Sequence, residues 1–172
     1  LAGGGSGNLS LADAAGEADA LAEEGKEREL SQLRAQWDED LEMAARAADF
    51  RERAVAYRAI GQFRFRTKKE LLRRGLDDES PAVRGSALLS LERLSRDHPG
   101  DVNDLRPLLH ELVTHDGNEA VRRLAVVALR NGSPRPDTIQ ILASLGQDDE
   151  QSRELRDAAA KVAQVLRRKG TK

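Results

Sequence analysis

From Lys26 onward apolar residues recur every three or four positions: Leu30, Leu33, Trp37, Leu41, Ala44 and Ala48. That is the period of a helix with one buried face, and it predicts one long helix. A second helical stretch over 50–63 carries Ala54, Val55, Tyr57 and Ile60, with Gly61 near its end. Three further apolar groups predict helices of their own: Leu71, Leu72 and Leu76; then Leu105, Leu108, Leu109, Leu112 and Val113; then Ile139, Leu142 and Leu145. Upstream, Leu11, Ala14, Ala15, Ala18, Leu21 and Ala22 also sit at helical spacing over 9–24. This face is mostly alanine, and at ~25 cal/mol per Å² it buries little, so a helix there needs something to pack against. No stretch alternates apolar and polar residues as a strand requires, and the pattern is all α.

Beyond Thr67 the pattern repeats. Val83-Arg84-Gly85-Ser86-Ala87 followed by Leu91 returns as Val121-Arg122-Arg123-Leu124-Ala125 followed by Leu129, and loosely as Leu155-Arg156-Asp157-Ala158-Ala159 followed by Ala163. Phe50-Arg51 followed by Ala54 is a weaker copy still. Each of the three later copies follows an acidic turn, Asp77-Asp78, Asp116 or Asp148-Asp149, and before each turn lies one of the apolar helices named above. The unit is a helical hairpin, which cannot bury both helices' apolar faces alone and so must stack on its neighbours. Gly61, Gly75, Gly100, Gly117, Gly132 and Gly146 fall where a helix is expected to stop, and Pro81 suits the first turn of its helix, with Ser80 or Asp78 as cap. Gly85 alone lies inside a predicted helix, at ~1 kcal/mol relative to alanine, which points to a close approach by a neighbouring helix. The repeated leucines and valines are expected in the core, where a truncation such as Leu124→Ala costs ~2 to 5 kcal/mol.

On these residues, the segment from about Arg66 to Arg168 resembles a HEAT-repeat array, and the pair from Lys26 to Phe63 resembles a capping repeat. The resemblance implies a right-handed α-solenoid of about three to four stacked antiparallel helical hairpins. It also implies that Arg84, Arg122 and Arg156 form an Asp/Arg ladder with the turn aspartates of neighbouring repeats. The expected division is an acidic, flexible or partner-dependent segment over 1–25, a helical pair over 26–66 and the repeats over 67–172.

Charge changes this picture in one place. Residues 1–50 carry twelve acidic and four basic side chains, residues 51–75 two and nine, although the whole chain of 172 residues balances at −2. The middle is a basic stripe, Arg64, Arg66, Lys68, Lys69, Arg73 and Arg74, interleaved with Phe63 and Phe65. Such a stripe suits phosphates or an acidic protein, or is neutralised by the chain's own acidic helix at Asp38, Glu39, Asp40 and Glu42. The absence of cysteine excludes disulfides and thiolate metal sites, and the longest apolar run, Leu124 to Leu129, is far short of the ~20 residues of a membrane span. No signal peptide is read, and with Leu at position 1 the chain is expected to be a processed product or a piece of something longer. No compartment follows from the sequence.

Catalytic chemistry finds no foothold. His98, His110 and His115 are the only histidines, and a five-residue spacing puts the last two on different sides of a helix. His110-Glu111 is similar to one of the paired His-Glu motifs of HEAT-type di-iron hydroxylases, but that chemistry needs several pairs. Ser86, Ser90 and Ser95 have no His and carboxylate placed to activate them. No metal and no cofactor are expected, and the chain is read as a non-enzyme. Trp37 is read as a core residue of the first pair.

The function expected is that of a non-catalytic scaffold or adaptor, binding another protein or joining a larger complex through its solenoid surface. Ser86, Ser90, Arg123, Arg153 and Glu154 are the expected contacts, with the helices behind the Val-Arg positions lining the concave side. The alternatives are a nucleic-acid module using the stripe 64–74, and a non-catalytic or lyase-type subunit of an enzyme complex.

Overall fold

A computed structural model describes residues 9–171, and every regular element in that span is helical. The elements are α1 (Leu11–Glu23), α2 (Glu27–Ala45), α3 (Phe50–Gln62), a short 3-10 turn (Arg66–Lys68), α4 (Lys69–Leu76), α5 (Pro81–Ser95), α6 (Gly100–His115), α7 (Glu119–Leu129), α8 (Pro136–Gly146) and α9 (Arg153–Gly170). From α2 onward they pair as four hairpins, α2/α3, α4/α5, α6/α7 and α8/α9. Side-chain caps open four of the helices: Ser10 on α1, Asp49 on α3, Asn118 on α7 and Ser152 on α9. The protein is a helical solenoid with two layers.

The second helices of the hairpins, α3, α5, α7 and α9, pack extensively against each successor, whereas α4, α6 and α8 touch only lightly. A stack bends toward its more tightly packed layer, so the second helices line the inside of the curve. Between the layers runs one continuous core that includes Tyr57, Ile60, Leu72, Leu88, Leu105, Leu109, Leu129 and Leu155.

Gly61 and Gly75, each one residue before the end of its helix, are also points of very close contact. Gly61 lies within α3, and a methyl there would sit 2.7 Å from Ser90 Cα; Gly75 lies within α4, where it would sit 2.5 Å from the Tyr57 ring. Each lets a neighbouring helix approach more closely than any side chain would permit. Gly85, for which a close approach was expected, has only an ordinary contact with Leu124 at 3.5 Å. Helix α3 ends at Gln62, and Arg64, just past the C-cap Phe63, takes a left-handed φ of 54° without the help of glycine.

Of the segment 1–25, residues 1–8 lie outside the described residues. The remainder forms α1, whose small face of Ala14, Ala15 and Ala18 is buried against α2 and α3. The helix takes the place that a preceding hairpin's second helix would occupy, and alanines are what allow it to lie so close.

Candidate functional site

The ladder is the most regular polar feature. The Arg84 guanidinium donates twice to Asp116, at 2.7 and 3.0 Å, and to the carbonyls of Asp78 and Glu79 in its own turn. One hairpin earlier Arg53 does the same, donating to Asp78 at 3.0 and 3.1 Å and to the carbonyls of Ala47 and Ala48. The first rung is therefore Arg53, not Arg51, whose side chain is exposed. One hairpin later Arg122 donates to the Gln151 amide oxygen at 2.8 Å, and Gln151 in turn donates to Asp148. Arg156 ends the series: its Nη1 lies 3.6 Å from Asp149, and its Nε is buried without an acceptor among the described residues. Burial alone would raise the Asp78 carboxyl, but the Arg53 guanidinium and the Ser80 amide outweigh it and hold it below the usual range.

The basic stripe is largely turned inward. Arg64 spans from the end of α3 to Asp19 and Glu23 of α1, at 2.8 and 2.9 Å. Lys68 is held by Asp38 and Glu42 of α2, at 2.5 and 2.6 Å, and these carboxylates lift its pKa against the opposing effect of burial. Lys69 pairs with Asp104, and Arg66 reaches Asp101 at 3.5 Å. Arg73 lies 3.4 Å from Glu70 on its own helix, and Arg74 has no carboxylate within 4 Å among the described residues. Phe63 and Phe65 are buried in the core, so they offer no stacking face to a base.

Ser90 is likewise internal. Fully buried, its hydroxyl donates to the Tyr57 carbonyl at 2.5 Å and accepts from the Gly61 amide at 2.8 Å, which ties α5 to α3. The expectation of a surface contact at Ser90 gives way to this helix-joining role. Ser86 is half-buried on α5, and Arg123, Arg153 and Glu154 are exposed on α7 and α9.

In the register fixed by the ladder arginines, Val55, Ser86, Leu124 and Ala158 occupy equivalent positions, and one helical turn on come Arg58, Leu89, Val127 and Lys161. Val55, Leu89 and Val127 are 39%, 40% and 36% exposed on three successive helices of the inner layer. Leu124, expected in the core, is only half-buried in the same surface. No carboxylate among the described residues lies within 4 Å of Arg58, Arg123 or Lys161, so their charge is unspent. The sequence pattern missed this face because its aliphatic residues look like core positions.

Residues 40–111, from within α2 to within α6, match the family model of HEAT repeats. This segment therefore carries HEAT repeats. None of the curated proteins matches it. HEAT repeats are generally scaffolds for protein interaction and typically lack enzymatic activity. Among the described residues, no three metal-ligating side chains converge, and no helix is long and apolar enough to cross a membrane.

Proposed function

We propose that this HEAT-repeat chain is a non-catalytic scaffold that holds a segment of another protein along its inner layer. The supporting observation is the exposed row Val55, Leu89 and Val127 flanked by the unpaired cations Arg58, Arg123 and Lys161. Aliphatic side chains give up water to a partner's apolar residues at ~25 cal/mol per Å², and free cations select acidic residues beside them. Ser86 and Arg123 lie within this surface, and Arg153 and Glu154 at its edge on α9. An anionic polymer using the stripe 64–74 would first have to displace the carboxylates holding Arg64, Lys68 and Lys69, which makes nucleic acid the weaker reading. The division into an N-terminal pair and a repeat body is part of the same proposal, with α1 acting as the lid of the inner layer.

The test is affinity capture with the wild-type chain and with Leu89→Glu/Val127→Glu, both shown to melt alike. The proposal expects one set of captured proteins to disappear with the variant and to persist with Arg73→Gln/Arg74→Gln on the opposite layer. Retention of every partner by the Leu89/Val127 variant would overturn it.

A further inference from the structure

A cavity of about 600 Å³ opens between α6 and the α7–α8 turn, and its floor is a cation without a counter-charge. Arg106 is only 5% exposed, yet no carboxylate among the described residues lies within 4 Å of it. Its guanidinium is met by neutral groups alone: the Thr138 hydroxyl at 2.6 Å, the Asn103 amide oxygen, and the Ser133 carbonyl at 3.4 Å. The preceding hairpin supplies the contrast. Lys68 lies ten residues before the ladder aspartate Asp78, just as Arg106 lies ten before Asp116, and Lys68 is met by two carboxylates. A buried charge is normally paired, because desolvating it costs several kcal/mol that neutral dipoles repay only in part.

The rest of the cavity wall fits an anion. Arg135 stands at the mouth with a mostly exposed side chain, its Nε 3.4 Å from Asp137. Ser133 presents a hydroxyl that already accepts from the Asn103 amide at 2.8 Å, leaving its own proton free to donate. Asp137 is the one acidic group in the wall, and it is engaged by the Thr138 amide at 2.9 Å and by Arg135. His110 shares the Thr138 hydroxyl at 2.8 Å, and burial keeps its imidazole below the usual histidine pKa, hence uncharged at neutral pH.

We infer that this cavity binds a phosphate-type oxyanion, with Arg106 and Arg135 as the two charged donors and the Ser133 hydroxyl as the third. Guanidinium groups suit this role because their planar forks bond two oxygens of one anion at once. The cavity is much larger than one phosphate, so the oxyanion belongs either to a small phosphorylated molecule or to a phosphorylated side chain.

The test uses the full chain and two probes, inorganic phosphate and a phosphoserine tetrapeptide, each titrated at ionic strength held constant with chloride. Backbone amide shifts of Ser133, Arg135 and Thr138 are followed by NMR. Saturable shifts with phosphate but not with chloride are expected. Arg135→Gln, an exposed position, should weaken binding roughly tenfold, and Arg106→Gln should abolish it. Should Arg106→Gln fail to fold, Asp137→Asn keeps the acceptor for the Thr138 amide while removing the competing charge, and should tighten phosphate binding several-fold. Tighter binding of the peptide than of phosphate assigns the source to a modified protein, and equal binding assigns it to a free phosphate group. If neither probe moves these amides beyond the chloride control, or if Arg135→Gln and Asp137→Asn leave the affinity unchanged, the inference is wrong.

Discussion

Replacing Asp116 by asparagine tests the ladder at its best-made rung. The substituted side chain would retain an oxygen able to accept from the Asn118 amide, as Asp116 does at 2.9 Å, so the turn keeps its local bond and mainly the charge is lost. The Asp116 and Arg84 side chains are 3% and 16% exposed, so solvent screens little of their attraction. A hydrogen bond to a charged group contributes about 1.5–3 kcal/mol, and removing one partner of a largely buried pair costs about 3–5 kcal/mol because the other charge is stranded. Asp116→Asn is therefore expected to destabilise by about 2–4 kcal/mol, and Arg84→Gln by somewhat more, since the bonds to the Asp78 and Glu79 carbonyls are lost as well. The double variant should recover about 1.5–3 kcal/mol of the summed loss, the coupling expected of two groups in direct contact. Urea denaturation of the four proteins measures all three quantities. A coupling below about 0.5 kcal/mol would show that the pair is worth no more than an exposed one and that the ladder does not fix the angle between hairpins.

Two glycines separate close packing from helix propensity: Gly61→Ala should destabilise by about 1–3 kcal/mol, because its methyl meets the Ser90 backbone, whereas Gly16→Ala has nothing within 4 Å and should stabilise by up to ~1 kcal/mol. Thermal melts of the two variants should shift in opposite directions. Ser90→Ala strands the buried Gly61 amide and is expected to cost about 1–3 kcal/mol by the same measurement. His110 has a folded pKa below the ordinary 6.5, because burial disfavours the imidazolium. Above pH 6.5 both folded and unfolded chains hold it neutral; below that the unfolded chain takes the proton first, so stability falls with pH. His110→Gln should flatten the dependence between pH 6.5 and about 5, before Glu42 and Asp78, held low by Lys68 and Arg53, begin to protonate.

The hairpin period was legible because stacking demands the same apolar residue at the same place in each unit. Val83 and Val121, and again Leu91 and Leu129, are buried for that one reason. The Arg84–Asp116 rung was legible too, because both partners lie at repeated positions. Sequence failed where two residues meet only across space. Gly61 and Gly75 look like helix stops, and only the neighbours Ser90 and Tyr57 reveal that they are points of close approach. Charge in a stripe is visible in sequence, but its neutralisation by Asp19, Glu23, Asp38 and Glu42 is not. Arg106 drew no notice because a lone arginine in a leucine-rich helix reads as a solvated face, and its burial comes from the α7–α8 turn folding over it.

The ladder also explains where acids are absent. The residue six before each rung arginine is Asp78 for Arg84 and Asp116 for Arg122, but Ala47 for Arg53. An aspartate there serves an arginine on the preceding inner helix, and the helix preceding α3 is α1, which contains no basic residue. A carboxylate at 47 would have no arginine on α1 to serve, and residue 47 contributes its backbone carbonyl to Arg53 instead. α1 meets α3 through alanines instead, with its own acids, Asp19 and Glu23, drawn to Arg64 at the far end of α3. The two ends of α3 thus carry different devices: a bidentate rung facing forward to the next hairpin, and a cation facing back to the lid. If that division is right, Arg64→Gln should loosen α1 alone, raising amide exchange over 11–23 while leaving α5 to α9 protected. Equal loosening of every hairpin would mean that α1 is not a separate lid but part of one cooperative unit with the repeats.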